Sequence, residues 1–574
     1  MKSFGIIVGL LLSWLVHRPG YLFGQSAHYP LDPYRYQWID HLMVKSGNPA
    51  DLITAIKPFP RIVVFKHGAR VDSIMPNFDR VNSYWLMRLA DEQNDWFMQN
   101  IETGEQPGHF TFRNSKKTFL KHFYKTPVYL YEADQGGFSL NVNPLLNLQF
   151  GSGKNDGQLI FENQRGIQLW GQIDDKVYFH MEILESQARF PDYVRQYTKE
   201  FRAVPGAGFY KSFNSDLFDL TEAVDFFTAR GYIGARISQH VHIELGHNRH
   251  FIGEGLRSLF LSDFSGDYFY LKLNTRVWKL HYQNLWGELS VISSRHQADN
   301  ELLPKKYFAT HYLGFQVLKN LQIGLFETVI FSRNNQFELQ YLNPIILYRT
   351  VEGSLGSPDN VLVGLQARWD IRRQVSLYGQ LVVDEFKINE LKSGSGWWGN
   401  KFGWQLGMKG IDLLGISSLD GQLEFNQVRP YTYSHRDSSA NYSHFHQALA
   451  HPLGANFREV IFRLSYEPVP RVQLSVLGFF AKTGQDQEGT NYGSNILLPN
   501  STREQNFNNR IGQGVGTKIT LFQLEARYEL FPNLYCTVNF LNREKRSDLS
   551  VRNLTSQVIY GGIQWNMTRR TNLF

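Results

Sequence analysis

Aromatic and polar side chains that suit carbohydrate binding cluster in the segment GSGWWGNKFGW. It holds Trp397 and Trp398 beside Asn400 and Lys401. Indole faces can pack on the apolar C–H patches of sugars, while amide and amine groups supply hydrogen bonds. The alternative is the aromatic girdle of a membrane barrel, to which we assign Trp404. Adjacent residues of an extended segment face opposite ways, so Trp397 and Trp398 cannot both belong to that girdle.

A second cluster lies in the segment NQVRPYTYSHRDSSANYSHFHQALAHPLGANF, residues 426–457. It carries Arg429, Tyr431, Tyr433 and Tyr442. Arginine and tyrosine combine flat apolar area with hydrogen-bond donors, which makes these four residues candidate polysaccharide contacts.

The sequence predicts neither a metal site nor catalysis. His444 and His446 alternate in a loop without a nearby carboxylate, which argues against a metal site there. The same conclusion holds for the segment HNRH at 247–250. We therefore expect no metal or other cofactor. Asp384 and Glu385 are adjacent, and on a strand their carboxylates point to opposite faces. No G-x-S-x-G or H-E-x-x-H motif is present, so we expect no enzyme.

Charge and cysteine content exclude two further classes. The net charge of +7 comes from basic residues interspersed with acidic ones, without a basic block, and this argues against nucleic-acid binding. The one cysteine, Cys536, excludes an intrachain disulfide and a cysteine metal cluster.

The N-terminus has the pattern of a secretory signal. Lys2 is followed by an apolar run that ends near Val16, so we predict a signal peptide at residues 1–24 and a mature chain that begins near Gln25. No run of about 18 apolar residues follows, which excludes a protein that spans the membrane by helices.

Residues 25–135 predict a partly helical periplasmic or plug segment. Three stretches have the apolar spacing or the start and stop residues of short helices. They are DPYRYQWIDHLMVK, NPADLITAIKP, where Asn48 caps and Pro58 stops the helix, and DRVNSYWLMRLADEQNDWFMQNI. Their apolar faces require a partner, and the β region that follows is the obvious one.

From Gly137 onward the apolar pattern has period two. Segments such as GIQLWGQI, KVYFHMEI, VSLYGQLV and LDGQLEFN have one apolar and one polar face, and their length suits a tilted strand across a bilayer. We count about 18 strands and predict an all-β, antiparallel outer-membrane barrel over residues 136–574. Lipid offers no hydrogen-bond partner, so such a sheet must close on itself.

Short and long connections alternate along the chain, as in outer-membrane barrels with short periplasmic turns and long outer loops. The predicted turns are 174–176, 237–241, 318–322, 370–374, 467–471 and 530–534. This layout predicts the bacterial outer membrane as the location, with membrane lipid and the barrel assembly machinery as partners.

The closing strand is predicted near the C-terminus. Residues 559–568 alternate between apolar and polar positions. Counting by twos from Met567 places Phe574 on the polar face, so the last residues are either bent or form a tail that follows the strand.

Several long blocks resemble the Wzi-like capsule-assembly family, in particular its Bacteroidetes branch, to which the gliding-motility protein RemB belongs. The blocks are HFIGEGLRSLFLSDFSGDYFYLKL, LQYLNPIILYRTVEGSLGSPDNVLVG, LYGQLVVDEFKI, WWGNKFGWQLG and EFNQVRPYTYSH. The resemblance implies an outer-membrane barrel of about 18 strands with a small helical bundle on the periplasmic side. It also implies a lectin-like role that holds exported polysaccharide at the cell surface.

Within the first block, GEGLRSLFLSD allows two interpretations. The loop could fold inward and place Glu254 and Arg257 in the lumen, where they would narrow it or bind a sugar. The interpretation we favour is a structural loop held by glycine turns and an Arg–carboxylate pair.

The functional hypothesis is a lectin-like barrel that engages capsular polysaccharide through loop aromatics and Arg429. One alternative is a porin that conducts solutes. The other is an adhesion or gliding-motility component that binds a surface protein.

Overall fold

The structure is a computed structural model. It describes residues 26–47, 52–74, 79–92, 123–124, 126–174, 176–215, 220–292, 303–345, 347–356, 359–569 and 572–574. The predicted signal peptide lies outside the described residues. No helix within these ranges is long and apolar enough to cross a membrane.

Eighteen antiparallel strands within the described residues form one closed barrel. They are β1 Phe138–Gly153, β2 Asp156–Ile173, β3 Val177–Arg189, β4 Leu220–Arg236, β5 Val241–Asn248, β6 Tyr268–Val277, β7 Leu280–Ser290, β8 Lys305–Leu318, β9 Leu321–Phe331, β10 Asn360–Ile371, β11 Val375–Glu385, β12 Lys401–Gly410, β13 Leu419–Val428, β14 Phe457–Tyr466, β15 Val472–Gln485, β16 Val515–Phe531, β17 Leu534–Ser547 and β18 Leu554–Trp565. β18 pairs with β1 from Val558 opposite Gly153 to Trp565 opposite Leu146. The closure satisfies the wall's backbone groups without a free edge, and it confirms the predicted fold class and strand number.

Other elements are short. The helices are α1 Pro33–Ser46, α2 Arg61–Ile74, α3 Arg80–Asp91, α4 Asp192–Phe201, α5 Tyr348–Leu355 and α6 Ile388–Lys392. The 3-10 turns are Leu339–Leu342, Leu413–Gly415, Ser438–Ala440, Asn500–Thr502 and Ser550–Arg552. The strands outside the eighteen are Ile56–Lys57, Tyr131–Gln135, Lys211–Ser215, Phe251–Ile252, Ser443–His444 and Gln447–Ala448.

The period-two pattern separates lipid from lumen as predicted. On β2, Ile167 is exposed, whereas Gln168 and Trp170 are buried. On β13, Leu423 is exposed and Glu424 is buried. The apolar faces therefore point outward to lipid, and the polar faces point into the barrel.

The connections segregate by length. One end carries short turns, at 174–176, 237–240, 278–279, 319–320, 372–374, 411–418, 467–471 and 532–533. The other end carries the long loops and two shorter connections: residues 154–155 join β1 to β2 in a tight turn, and residues 548–553 join β17 to β18. Short turns mark the periplasmic end of outer-membrane barrels, so the long loops form the outer mouth.

Two of the three predicted N-terminal helices, α1 and α3, form in the described residues, and residues 93–101 of the third predicted stretch lie outside them. Asp32 caps α1 by accepting from the backbone N–H groups of Tyr34 and Arg35, and Pro33 fills the first helical position. The predicted helix in NPADLITAIKP is wrong in its described part. Ile56–Lys57 pairs as a strand with Phe251–Ile252, and the next helix, α2, begins only at Arg61.

The N-terminal segment (residues 26–47, 52–74 and 79–92) lies inside the barrel at the short-turn end. Its own core includes Ile39, Leu42 and Phe65. Near the turns, Trp85 Nε1 donates to Glu467 at 2.6 Å and Arg88 Nη2 donates to Asn533 at 3.0 Å. These contacts fasten the helices to the polar inner wall.

The chain leaves the wall after Trp565, three residues earlier than the predicted strand end. Asn566 has φ of 53° and its Nδ2 donates to Pro144 O at 2.9 Å, which turns the backbone inward. Farther along, Phe574 is buried inside the barrel, with its ring centroid 4.6 Å from that of Tyr197 on α4. The C-terminal residues therefore form a tail that folds back into the lumen.

Candidate functional site

Trp397 and Trp398 lie in a turn at the outer mouth, directly before β12. Asn400 N donates to Trp397 O at 3.2 Å and Trp398 N donates to Asn506 O at 2.9 Å. Because the backbone is turned rather than extended, the two rings lie side by side, with centroids 5.9 Å apart and planes at 56°. The prediction that these neighbours face opposite ways is wrong for this reason.

Cations hold one face of each ring. Arg503 Cζ lies 4.2 Å from the Trp398 ring centroid, and Lys387 Nζ lies 4.5 Å from that of Trp397. Both tryptophans are only half-buried, so part of each ring remains accessible from the outer mouth. Cation–π contacts of this kind fix ring orientation without covering both faces.

Arg429 braces this turn from below. Its Nε donates to Asn400 O at 2.7 Å, and its Cζ lies 5.5 Å from the Phe402 ring centroid. Its backbone N–H also donates to Phe402 O at 3.0 Å. Arg429 is half-buried, and burial lowers the pKa of its guanidinium.

The three candidate tyrosines lie in the buried core of the loops. Tyr431 Oη donates to Asn491 O at 2.9 Å, and Tyr433 Oη donates to Leu259 O at 2.8 Å. Tyr442 stacks on Tyr433 with ring centroids 5.8 Å apart. Each of the three is about 1% exposed. They tie the loops to one another and present no free face to the mouth.

Glu254 and Arg257 belong to an inward loop (residues 249–267) that enters the lumen. Glu254 Oε2 accepts from Arg368 Nη1 at 3.0 Å. Arg257 Nη2 donates to Glu459 at 2.8 Å, and Glu459 also pairs with His451 at 2.8 Å. The loop is therefore turned inward, and Glu254 and Arg257 pair with the wall rather than with each other.

The inward loop meets the N-terminal segment in the middle of the lumen. Lys57 pairs with Phe251 and Ile56 with Ile252 as an antiparallel bridge, and Gly253 N donates to Ala55 O at 2.9 Å. The two segments therefore meet inside the barrel, between the loop tyrosines and the N-terminal helices.

A cavity of about 780 Å³ opens at the outer mouth. Tyr197 and Phe201 from α4 form one wall, and the loop residues 486–498 form the opposite wall. Arg543, Lys545 and Arg552 line it together with the acidic residues Glu200, Asp486 and Glu488, and Phe574 also lines it. We did not predict this mouth cavity from the sequence, because α4, the tail and β17 are far apart along the chain.

One segment connects the mouth cavity to the tryptophans. Asn491 and Thr502 line the cavity, and Asn491 forms a parallel bridge with Arg503, whose guanidinium covers Trp398. The two features are therefore opposite sides of one loop wall.

At the short-turn end, His41 of α1 contacts carboxylates of the wall. Among the residues that the structure describes, His41, Asp412 and Asp420 are the group that places three possible metal-ligand atoms within 4.8 Å of one another. His41 Nδ1 lies 2.9 Å from Asp420, and Lys45 Nζ lies 2.9 Å from Asp412. Lys45 already supplies a cation there, so the arrangement forms an ion-pair clamp between α1 and the turn.

This clamp predicts a pH dependence. Burial alone would lower the pKa of His41, but the charge and hydrogen bond of Asp420, with Asp412, outweigh it and raise the pKa. The stabilisation is therefore complete below the ordinary histidine pKa of about 6.5 and is lost as the pH rises through the raised value. We expect the midpoint of thermal unfolding to fall over that range in the wild type and not in His41→Gln. His247→Gln, at an exposed position on β5, serves as the control, and an unchanged pH slope in His41→Gln would contradict the clamp.

The chain matches no protein-family model and no curated protein. Among solved structures it is similar to Wzi of Escherichia coli, an outer-membrane protein involved in group 1 capsule assembly and described as a carbohydrate-binding β-barrel. The identity is 12% and the TM-score 0.55, over 95% of this chain and 100% of Wzi. At 12% identity the likeness shows a shared fold alone. It therefore confirms the predicted resemblance to Wzi as a resemblance in fold.

Weaker similarities are to other outer-membrane barrels. OprD of Pseudomonas aeruginosa has 11% identity and a TM-score of 0.40 over 74% of this chain and 94% of OprD. OccAB1 of Acinetobacter baumannii has 9% identity and a TM-score of 0.41 over 75% and 97% of the two chains. The closed barrel and its likeness to Wzi place the chain in the bacterial outer membrane.

Proposed function

We propose that this chain is a non-enzymatic, lectin-like barrel that holds surface polysaccharide at its outer mouth during capsule assembly or attachment. The observation that carries the proposal is the pair of half-exposed tryptophans, Trp397 and Trp398, fixed side by side at the rim. Aromatic faces held in advance bind sugar rings at a low entropic cost.

The residues around the pair take supporting roles in this proposal. Arg503 and Lys387 orient the two rings, and Arg429 fixes the turn through Asn400 O. The buried Tyr431, Tyr433 and Tyr442 act as positioning residues, because their loops form the base on which the tryptophan turn rests. Glu254 and Arg257 hold the inward loop.

The mouth cavity extends the surface available to a polymer. A polysaccharide presents many sugar units, and the cavity of about 780 Å³ on the other side of the loop wall can accept a unit of the polymer at a distance from the one that stacks on Trp398. Two separate subsites for one polymer raise the apparent affinity through effective concentration.

Two further observations support the proposal. Wzi, whose fold this chain shares, is described as carbohydrate-binding and involved in capsule assembly. The N-terminal segment and the inward loop lie in the lumen and pair there, and we take this arrangement to favour attachment over solute conduction. The finer assignment, to the Bacteroidetes branch of the family, rests on the sequence blocks alone.

The test uses the strain that carries this chain. We expect the double variant Trp397→Ala, Trp398→Ala to release most of the polysaccharide into the medium, measured as the ratio of cell-attached to shed polymer. The matched control is Trp278→Ala, whose side chain is 80% exposed at a short turn of the opposite end. Equal retention in both variants would contradict the role of the tryptophans. Full retention together with lost gliding or adhesion would assign the chain to the motility alternative.

A further inference from the structure

Four arginines surround one cavity of about 90 Å³ between the N-terminal segment and the barrel wall. Arg35, Arg61 and Arg88 come from α1, α2 and α3, and Arg527 comes from β16. The cavity lies at the short-turn end, remote from the outer mouth. Its volume is sufficient for several waters or for one small oxyanion.

Aromatic rings hold the guanidinium groups flat. Arg61 Cζ lies 4.7 Å from the ring centroid of Tyr29 and 4.4 Å from that of Trp170. Arg527 Cζ lies 4.5 Å from the Tyr34 centroid and 4.1 Å from the Tyr535 centroid. Stacking uses the faces of a guanidinium and leaves its N–H edge for an acceptor.

Several of these N–H edges have no acceptor. Arg61, Arg88 and Arg527 are 6%, 4% and 5% exposed. Among the residues that the structure describes, Arg61 Nε, Arg88 Nε and Nη1, and Arg527 Nε are buried and have no hydrogen-bond partner. A buried, unsatisfied donor on a charged group is costly, so the arrangement calls for an acceptor.

The nearby carboxylates are too few. Glu92 forms a two-pronged pair with Arg35. Glu529 lies 3.6 Å from Arg88 and Asp91 lies 3.9 Å from it. Asp32, which also lines the cavity, caps α1 and accepts from Arg569 N.

Two of the arginines have no carboxylate partner. Within the described residues, Arg61 and Arg527 form no ion pair with a carboxylate within 4.0 Å. Among the residues that line the cavity, four arginines therefore face two carboxylates, Asp32 and Glu92. An anion would compensate this excess of positive charge.

We propose that this cavity binds a tetrahedral oxyanion, of the phosphate or sulfate class, which fastens the N-terminal segment to the barrel. The anion would accept hydrogen bonds from arginines of three helices and of β16 at once. It would thereby bridge elements that otherwise present like charges to one another. Arginine suits this role because its planar fork binds oxyanions in pairs of hydrogen bonds. This site is independent of the proposed polysaccharide site.

The test is thermal unfolding of the purified full chain in detergent, with increasing inorganic phosphate at constant ionic strength set by sodium chloride. We expect the unfolding midpoint to rise with phosphate concentration, as for any ligand of the folded state. Arg61→Gln and Arg527→Gln are each expected to need at least about tenfold more phosphate for the same shift, because each removes a charge-assisted pair. Arg546→Gln is the matched control, since Arg546 is 72% exposed and forms a surface ion pair with Glu544.

Glycerol phosphate forms a second arm. If glycerol phosphate stabilises the protein less than inorganic phosphate does, the site is assigned to the free ion. If the two stabilise it equally, the site is assigned to a phosphate group on a larger molecule. Arg61→Lys replaces Arg61→Gln if the latter does not fold, and it keeps the charge but loses the fork. The proposal is overturned if phosphate raises the unfolding midpoint no more than chloride does. It is also overturned if phosphate raises the midpoint of both arginine variants as much as that of the wild type.

Discussion

Arg368→Met is expected to destabilise the folded protein by about 3–5 kcal/mol, because it removes one partner from a buried ion cluster. Arg368 is 1% exposed. Its Nη1 donates to Asp40 at 3.2 Å and to Glu254 at 3.0 Å, and its Nε donates to Asp370 at 3.0 Å. The substitution keeps the apolar volume and leaves three carboxylates with too few cations.

This cluster joins three parts of the molecule: α1, the inward loop and β10. Lys409 Nζ lies 2.6 Å from Asp40, and with Arg368 it outweighs burial and holds the pKa of Asp40 well below its usual range. Unfolding in urea measures the loss of folding free energy. The folded fraction at each urea concentration is read from the heat-dependent shift of the barrel band on a gel. Arg546→Met is the control, and an exposed pair of this kind contributes about 0–1 kcal/mol. Equal stability of the two variants would contradict a structural role for the cluster.

Deletion of residues 26–92 is expected to produce the second large effect, the appearance of ion conduction. The N-terminal segment is the main filling of the lumen at the short-turn end, and it supports the inward loop through the pairing of Ile56–Lys57 with Phe251–Ile252. Barrels of 16–18 strands without filling leave an aqueous channel, so conductance should rise by at least about tenfold.

Planar-bilayer recordings test this directly. The full chain should give few or no conductance steps, and the deletion variant should give frequent ones, with the heat-dependent gel shift as proof that the barrel has formed. Trp278→Ala serves as a full-length control for the preparation. Steady conductance of the full chain, equal to that of the deletion variant, would favour the porin alternative.

The wall of the barrel was predictable because its signal is local. Ile167, Met181 and Leu423 are exposed and alternate with polar neighbours along their strands. Each apolar residue and its polar neighbour indicate which face of the strand contacts lipid and which faces the lumen, without information from the rest of the chain. The grouping of short and long connections likewise depends only on strand spacing. The register of the strands and their exact ends were harder to predict from the sequence. For example, β18 ends at Trp565, earlier than predicted.

The contents of the lumen depend on contacts between distant residues, and local patterns do not encode them. Ile56–Lys57 is extended because Phe251–Ile252 needs a partner, although its own stretch has helix start and stop residues. Tyr431, Tyr433 and Tyr442 have the composition of a binding surface, yet the loops pack over them. The stacking of Arg61 between Tyr29 and Trp170 likewise becomes visible only when the helices are placed in the barrel.

Equilibrium binding by the purified full chain shows directly whether the outer mouth binds polysaccharide through the tryptophan pair. The ligand is the polysaccharide shed by the strain's own cells, titrated while the fluorescence of the protein is followed. We expect saturable binding by the wild type and by Trp278→Ala, and at least about tenfold weaker binding by the double variant Trp397→Ala, Trp398→Ala. No binding by the wild type, or equal binding by the double variant, would contradict this role of the tryptophan pair.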